Sequence, residues 1–158
     1  MGEDKCPCGN VDKVGRICVM PGVYNHLQVV PEKGEIVFCD FSNFASPEMI
    51  KYRPCVVVSP NMKYRPKICT IIPLSTTMPI PCRNYHCEID IIPVLRKPYD
   101  SPSAWVKGDM LYTVSINRLD RPYDFSKTGK RIFYKQSVSQ ADMLKIEKAI
   151  LAGLGISL

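Results

Sequence analysis

The chain has 158 residues, 46% apolar and 23% charged, an average composition for one soluble globular domain, which excludes wholesale disorder and a two-domain architecture. No apolar run approaches the roughly 20 residues that span a bilayer, and the opening Met1-Gly2-Glu3-Asp4-Lys5 is neither a basic leader nor an apolar segment, so a cytoplasmic protein with no membrane contact is expected. The formal net charge is +6, yet residues 45–135 hold fifteen basic and seven acidic side chains, a local excess that suits a polyanion or an acidic protein partner and equally a solvated surface.

In chain order, residues 1–33 are rich in Gly, Pro, Cys and isolated charges and read as an irregular N-terminal extension. Cys6, Cys8 and Cys18, with His26, offer four zinc-type ligands, but Cys-x-Cys followed by a ten-residue gap matches no common zinc spacing. From Gly34 the texture changes. Glu35 to Phe41, Cys55 to Ser59, Ile68 to Leu74 and His86 to Ile91 are short β-branched runs and predict strands. Ser42 to Tyr52 and Pro60 to Pro66 are polar, basic and Pro-containing, as exposed connections are. Ala104 to Lys107 and Met110 to Val114 predict a further strand pair bent at Gly108-Asp109. Arg118 to Arg121 reads as a short helical turn, 122–130 as a polar loop and Arg131 to Tyr134 as a last short strand. Ser139 then caps an amphipathic helix with Asp142 in its first turn, Met143, Ile146, Ile150 and Leu151 on one face, and Gly153 and Gly155 at its end. Strands this closely spaced leave no room for helical crossovers, so the fold class is mainly β: a compact antiparallel barrel or strongly bent sheet with a C-terminal α-helix.

Eight cysteines without a secretory signal predict reduced thiols. Cys39, Cys55 and Cys69 lie in apolar runs and are expected in the core, while Cys82 and Cys87, beside a loop and a strand start, have no assignment. There is no Gly-rich phosphate loop and no His-Glu-x-x-His. His26 and His86 are the two histidines, and His86 falls in a strand pattern as a packed or edge residue. Tyr52, Tyr64, Tyr85, Tyr99 and Trp105 interleave with Lys51, Arg53, Lys63, Arg65, Arg83, Arg96 and Lys107, the mixture that stacks unpaired bases and neutralises phosphates. At strand positions the same rings serve as core.

Four blocks carry a further signal. They are Gly34-Glu35-Ile36-Val37-Phe38-Cys39-Asp40-Phe41; Glu48 followed by Arg53-Pro54 and the run Cys55 to Pro60; Ile72-Pro73-Leu74-Ser75-Thr76-Thr77; and Trp105 to Leu119, WVKGDMLYTVSINRL. In this order and spacing they resemble the MazF/PemK family of toxins from bacterial toxin-antitoxin modules, from Gly34 to the final helix. The extension before Gly34 and residues 92–103 have no counterpart in that pattern.

The resemblance implies a small SH3-like (CcdB/MazF-type) antiparallel β-barrel over residues 34–158, forming a homodimer whose groove binds single-stranded RNA. It also implies a metal-independent, cofactor-free, sequence-selective endoribonuclease in which the RNA 2′-hydroxyl attacks the adjacent phosphate, leaving a cyclic phosphate and a 5′-hydroxyl. An acidic cognate antitoxin would occupy the basic groove. Arg53 matches the family's essential arginine, and Ser75 its hydroxyl position, where many members have Thr, with Thr76 beside it. Lys107-Gly108-Asp109 falls where the PemK branch has an Arg-x-Asp pair.

Such cleavage needs an aligned nucleophile, offset of the phosphorane charge and proton movement. Arginine grips phosphate oxygens bidentately but is a poor proton carrier. Lys107 and Asp109 suit proton movement, because burial and neighbours shift such groups, and Ser75 would donate to the phosphate. Glu48, Lys51, Lys63, Thr76 and Trp105 are the expected RNA contacts, with Glu48 orienting Arg53 or shaping the groove entrance. Glu48 and Lys107 are alternatively solvated charges, and Asp109 a turn residue beside Gly108. Two other functions fit the scaffold: a CcdB-like binder of DNA gyrase, which needs neither Arg53 nor Ser75, and a DNA- or RNA-binding regulatory module without catalysis.

Overall fold

The apolar runs form the centre of one sheet. In the computed structural model, which describes residues 27–157, β1 (Ile36–Asp40), β2 (Tyr52–Val57) and β3 (Ile68–Ser75) pair antiparallel, with Val37 opposite Cys55 and Cys55 opposite Pro73. Successive side chains of a strand point to opposite faces, and here both faces are covered. Val37, Cys39, Cys55, Val57, Cys69 and Ile71 pack with Leu27, Phe41, Val114, Ile116 and Leu119. Ile36, Phe38, Val56, Ile72 and Leu74 pack on the other side with Ile89, Ile91, Leu95, Ala104, Val106 and Ile146. Burial on both faces is why these strands read as unbroken apolar runs rather than as alternation. It also places Cys39, Cys55 and Cys69 in the core, as expected.

The remaining strands are β4 (His86–Asp90), β5 (Ser103–Lys107), β6 (Tyr112–Ser115) and β7 (Leu119–Asp120). The order is β4-β5-β3-β2-β1-β7, with β6 on the first half of β3. At eight residues β3 is long enough to pair β6 through Ile68–Ile71 and β5 through Leu74 and Ser75, so the sheet bends around it. The class is the expected one, mainly antiparallel β with a C-terminal helix.

Two local expectations change. The helical turn lies at Ile116–Arg118, capped by Ser115, whose Oγ accepts the Asn117 N–H at 3.2 Å; Leu119 and Asp120 are extended and pair with β1 because Leu119 fills the core. Residues 122–130 are not all loop: β8 (Tyr123–Phe125) pairs with β9 (Arg131–Phe133) as a hairpin off the main sheet. Its signal, two aromatics around Asp124, is short beside the turn residues that flank it.

Helix α1 (Gln140–Gly153) starts at Ser139, whose Oγ accepts the Asp142 N–H at 3.1 Å and donates to Asp142 Oδ2 at 2.9 Å. It ends in a Schellman motif: Ile156 N–H donates to the Leu151 carbonyl and Gly155 N–H to that of Ala152, with Gly155 at φ +70°. Ile146 and Ala149 are buried, and Met143 and Ile150 pack at the edge of the core. The helix sits so close to the β5–β6 turn that a Cβ at Gly108 would lie 2.0 Å from the Ala149 carbonyl oxygen.

Two acids are buried beside β1. Glu35 is satisfied, with Arg121 Nε 2.9 Å from Oε1 and the Glu32 N–H 3.1 Å from Oε2. Asp120 is 1% exposed, and neither carboxylate oxygen has a hydrogen-bond partner among the described residues. Burial pushes its carboxyl up to about 7, against the opposing pull of the Arg131 guanidinium.

Two outcomes follow. Gly108→Ala forces the turn off the helix backbone and should cost about 3 kcal/mol in urea unfolding, whereas wild-type stability would mean that the helix shifts freely. The folded pKa of Asp120 lies above its unfolded value, so the stability it contributes is full at low pH and is lost as pH rises through about 7. Asp120→Asn should therefore melt roughly 2–6 °C above wild type at pH 8, with the gap closing towards pH 4; parallel melting curves across that range would contradict the assignment.

Candidate active site

Arg53 is the second residue of β2, just after Lys51 turns the chain at φ +77° and offers its carbonyl to the Phe41 N–H. Its Nε donates to the Ile50 carbonyl at 3.1 Å, so the main chain steers the guanidinium. Glu48 is engaged in its own loop, where Oε2 accepts the Ala45 N–H at 2.8 Å. Cys55 stands opposite Pro73, and extending that antiparallel register by two residues sets Arg53 opposite Ser75. Ser75 in turn pairs with Trp105 on β5. Its Oγ accepts the Thr77 N–H at 3.1 Å in a turn that ends the strand.

Arg53, Pro54, Ser75 and Thr76 line one small cleft with Leu95, Tyr99, Ser101 and Ser103. Its volume is about 40 Å³, room for a few water-sized groups and too little for a nucleobase. No carboxylate among the described residues lines it, the nearest bonded one being Glu88, whose Oε1 accepts from the lining Ser103 hydroxyl at 2.6 Å, so Arg53 gives the cleft a positive potential suited to one small anion.

The far wall is the segment 91–102, most of which falls in the stretch 92–103 that has no counterpart in the family pattern. Leu95 anchors it in the core, the Ile91 N–H donates to the Pro102 carbonyl at 2.8 Å, and the Tyr99 hydroxyl donates to the Tyr52 carbonyl. The Tyr99 ring packs 5.4 Å from that of Phe38. Burial raises the Tyr99 hydroxyl above its ordinary range, and the charge of Arg53 acts against that rise. Tyr99 stood in the aromatic-basic pattern; Leu95, Ser101 and Ser103 had no signal of their own, because their place depends on how the segment folds back on the sheet.

The other expected residues are spread out. On β5, Ser103, Trp105 and Lys107 alternate with buried Ala104 and Val106; Trp105 lies between Ser75 and Glu88, and Lys107 opposite His86. Lys107 and Asp109 lie outside the lining of the Arg53 cleft, with the Asp109 backbone against Gly153 at the end of α1. Lys63 lies in the β2–β3 connection, at the end of that hairpin remote from Arg53, with its ammonium 5.9 Å from the Tyr64 ring centroid. Arg53, Ser75 and Thr76 thus come together with Trp105 alongside. Glu48, Lys51 and Lys63 occupy loops, and Lys107 and Asp109 lie towards α1.

The core thiols are unsuited to nucleophilic work. Burial pushes Cys39 up to about 12 and Cys69 to about 11, and Cys55 well above its ordinary value. Cys82 is exposed and Cys87 half-buried. His86 Nδ1 accepts the Arg83 N–H at 3.0 Å and its ring stands edge-on to Tyr85, a packed residue on strand β4. Among the described residues no group of three or more His, Cys, Asp or Glu side chains is placed to hold a metal ion; Cys6, Cys8, Cys18 and His26 lie outside them. Among the described residues no helix is long and apolar enough to cross a membrane.

Comparison with known proteins agrees with this architecture. Residues 32–154 match the family described as PemK-like, MazF-like toxin of type II toxin-antitoxin system. The Escherichia coli (strain K12) protein YifN is 30% identical over 144 residues, covering 78% of this chain and 91% of YifN. Among solved structures, a mycobacterial endoribonuclease in complex with its cognate antitoxin superposes with a TM-score of 0.52 at 20% identity, over 82% of this chain and 99% of that one. MazF from Deinococcus radiodurans gives 0.51 at 17% identity, over 80% and 98%. The match over residues 32–154 establishes that the chain belongs to the PemK-like, MazF-like toxins of type II toxin-antitoxin systems.

Proposed function

We propose that this toxin is a metal-independent, sequence-selective endoribonuclease that cleaves single-stranded RNA by attack of the RNA's own 2′-hydroxyl on the adjacent phosphate. One observation carries the reading: Arg53 shares a cleft sized for a small anion with the hydroxyl residues Ser75 and Thr76, and no carboxylate among the described residues lines it. A gyrase-binding barrel requires neither group.

The scissile phosphate sits in the cleft. The Arg53 guanidinium takes two of its oxygens and offsets the charge that grows as the phosphorane forms. Ser75 and Thr76 supply hydroxyl donors to the same oxygens. Strand ends hold Arg53 and Ser75 on one side and the segment anchored by Leu95 and Tyr99 forms the other, so the phosphate is oriented without reorganising the protein. Trp105, beside Ser75 on the outward face of β5, offers a surface for the neighbouring base. Lys107, about 7 Å further along that face by strand geometry, and Asp109 beyond it are the proposed proton carriers. From there they would act through bound water, the Asp109 carboxylate taking the proton of the 2′-hydroxyl and the Lys107 ammonium returning one to the departing 5′-oxygen. Lys51 and Glu48, in the loop before β2, flank the strand near Arg53, and Lys63 meets it only further on, at the remote end of the β2–β3 hairpin. The toxin acts in the cytoplasm as a homodimer, and an acidic antitoxin silences it by filling the basic groove.

The test is cleavage of a long single-stranded RNA by the full chain and by Arg53→Ala. The variant should cut at least about 10²-fold more slowly while melting at the wild-type temperature, since a half-exposed strand-end arginine adds little stability. Normal cutting by a folded Arg53→Ala protein would remove the cleft from the reaction.

A further inference from the structure

The β8–β9 hairpin carries a second cluster that the cleft chemistry does not use. Its register puts Tyr123 opposite Phe133 and Phe125 opposite Arg131, so these four side chains share one face, while Asp124 and Ile132 share the other. Over the first face lies Arg96, with its guanidinium 5.0 Å from the Tyr123 ring centroid, 4.5 Å from that of Phe125, and bonded to the Tyr123 hydroxyl at 2.9 Å. The Arg131 guanidinium lies 4.5 Å from the Tyr123 ring. Lys127 and Lys130 stand exposed in the hairpin turn.

Three features make this more than a structural clasp. Phe125 is 46% exposed, and Arg96 too is exposed, so the stack is open to solvent. None of Arg96, Lys127 and Lys130 makes an ion pair among the described residues, whereas the charge of Arg131 acts on the buried Asp120. The hairpin's own acid, Asp124, belongs to the opposite face. Arg96 is also one residue from Leu95 and is closed into a turn with Tyr99, whose N–H donates to the Arg96 carbonyl at 3.0 Å; both neighbours line the Arg53 cleft. The same short segment therefore joins the two surfaces.

We propose that this face is a second contact for single-stranded RNA, in which an unpaired base next to the one at the cleft stacks on Arg96 and Phe125 while Lys127 and Lys130 neutralise the phosphates that follow. Guanidinium planes and aromatic rings are what unpaired bases stack on, and unpaired cations along the path supply the backbone attraction. The inference rests on the reading of the chain as an RNA-cleaving enzyme. It adds that substrate is held beyond the cleft, so a longer RNA binds more tightly than a short one.

The experiment measures fluorescence anisotropy of a labelled 2′-O-methyl RNA of about twelve nucleotides, which lacks the attacking hydroxyl, against the full chain, Phe125→Ala and Lys127→Ala/Lys130→Ala. Loss of one stacked base should weaken binding about tenfold in Phe125→Ala. The lysine pair should lower the slope of log K against log salt by about 1.4, at about 0.7 per phosphate. Both variants change exposed side chains and should melt as wild type does. Wild-type affinity and slope in both, with wild type binding and cutting RNA, overturn the second contact and leave the nuclease intact. Wild type that neither binds nor cuts overturns both readings. Variants that hold the RNA normally but lose binding to poly-glutamate assign the face to an acidic protein and overturn the proposal.

Discussion

The three-stranded centre of the sheet is apolar on both faces, and this double burial sets the register on which the site depends. A slip of one residue between β2 and β3 would exchange the two faces of a whole strand, sending Cys55 and Val57 into the cluster built around Ile146 and Val56 into the one built around Leu119. Both clusters are packed, so neither accepts the exchange cheaply. Because that register is held, Arg53 near the start of β2 and Ser75 at the end of β3 line the same cleft.

Electrostatics within this frame separate into groups that are matched and groups that are not. Glu35 is buried but ties Arg121 and the Glu32 main chain to the start of β1. Asp120 is buried without such partners, beside an edge of the same strand. In the cleft, by contrast, Arg53 faces hydroxyls and an aromatic ring and no carboxylate. Among the described residues Arg53 forms no ion pair. The segment 91–102 makes that possible by walling the cleft with Leu95 and Tyr99 rather than with acids.

How much of this the sequence discloses follows from where each signal lives. The strands β1, β2, β3 and β4 are legible because their apolar runs are long and bounded by Pro, Asn and Ser. The helix is legible because Ser139, Met143, Ile146 and Gly155 all agree. Strands β7 and β8 are not, since two or three residues cannot outweigh adjacent turn residues, and pairing with β1 or β9 is a tertiary event. For the site, Arg53, Ser75 and Thr76 are marked by the family pattern and by strand ends, and they do share one cleft. The contribution of 91–102 is hidden, because a Pro-rich stretch shows no period and its role arises only when Leu95 reaches the core and Tyr99 the Tyr52 carbonyl. The hairpin stack is hidden for the same reason, as Arg96 and Tyr123 are far apart in the chain.

In the proposed reaction the protein's own side chains act on the phosphate while the RNA supplies the nucleophile. The most direct measurement incubates the full chain with a long single-stranded RNA in excess EDTA and determines both new ends at each cut. Undiminished cutting is expected at a short recurring sequence, with a cyclic phosphate on one side and a 5′-hydroxyl on the other. Loss of cutting in EDTA, or 5′-phosphate ends, would contradict that reaction and point to a metal-activated water in place of the internal hydroxyl.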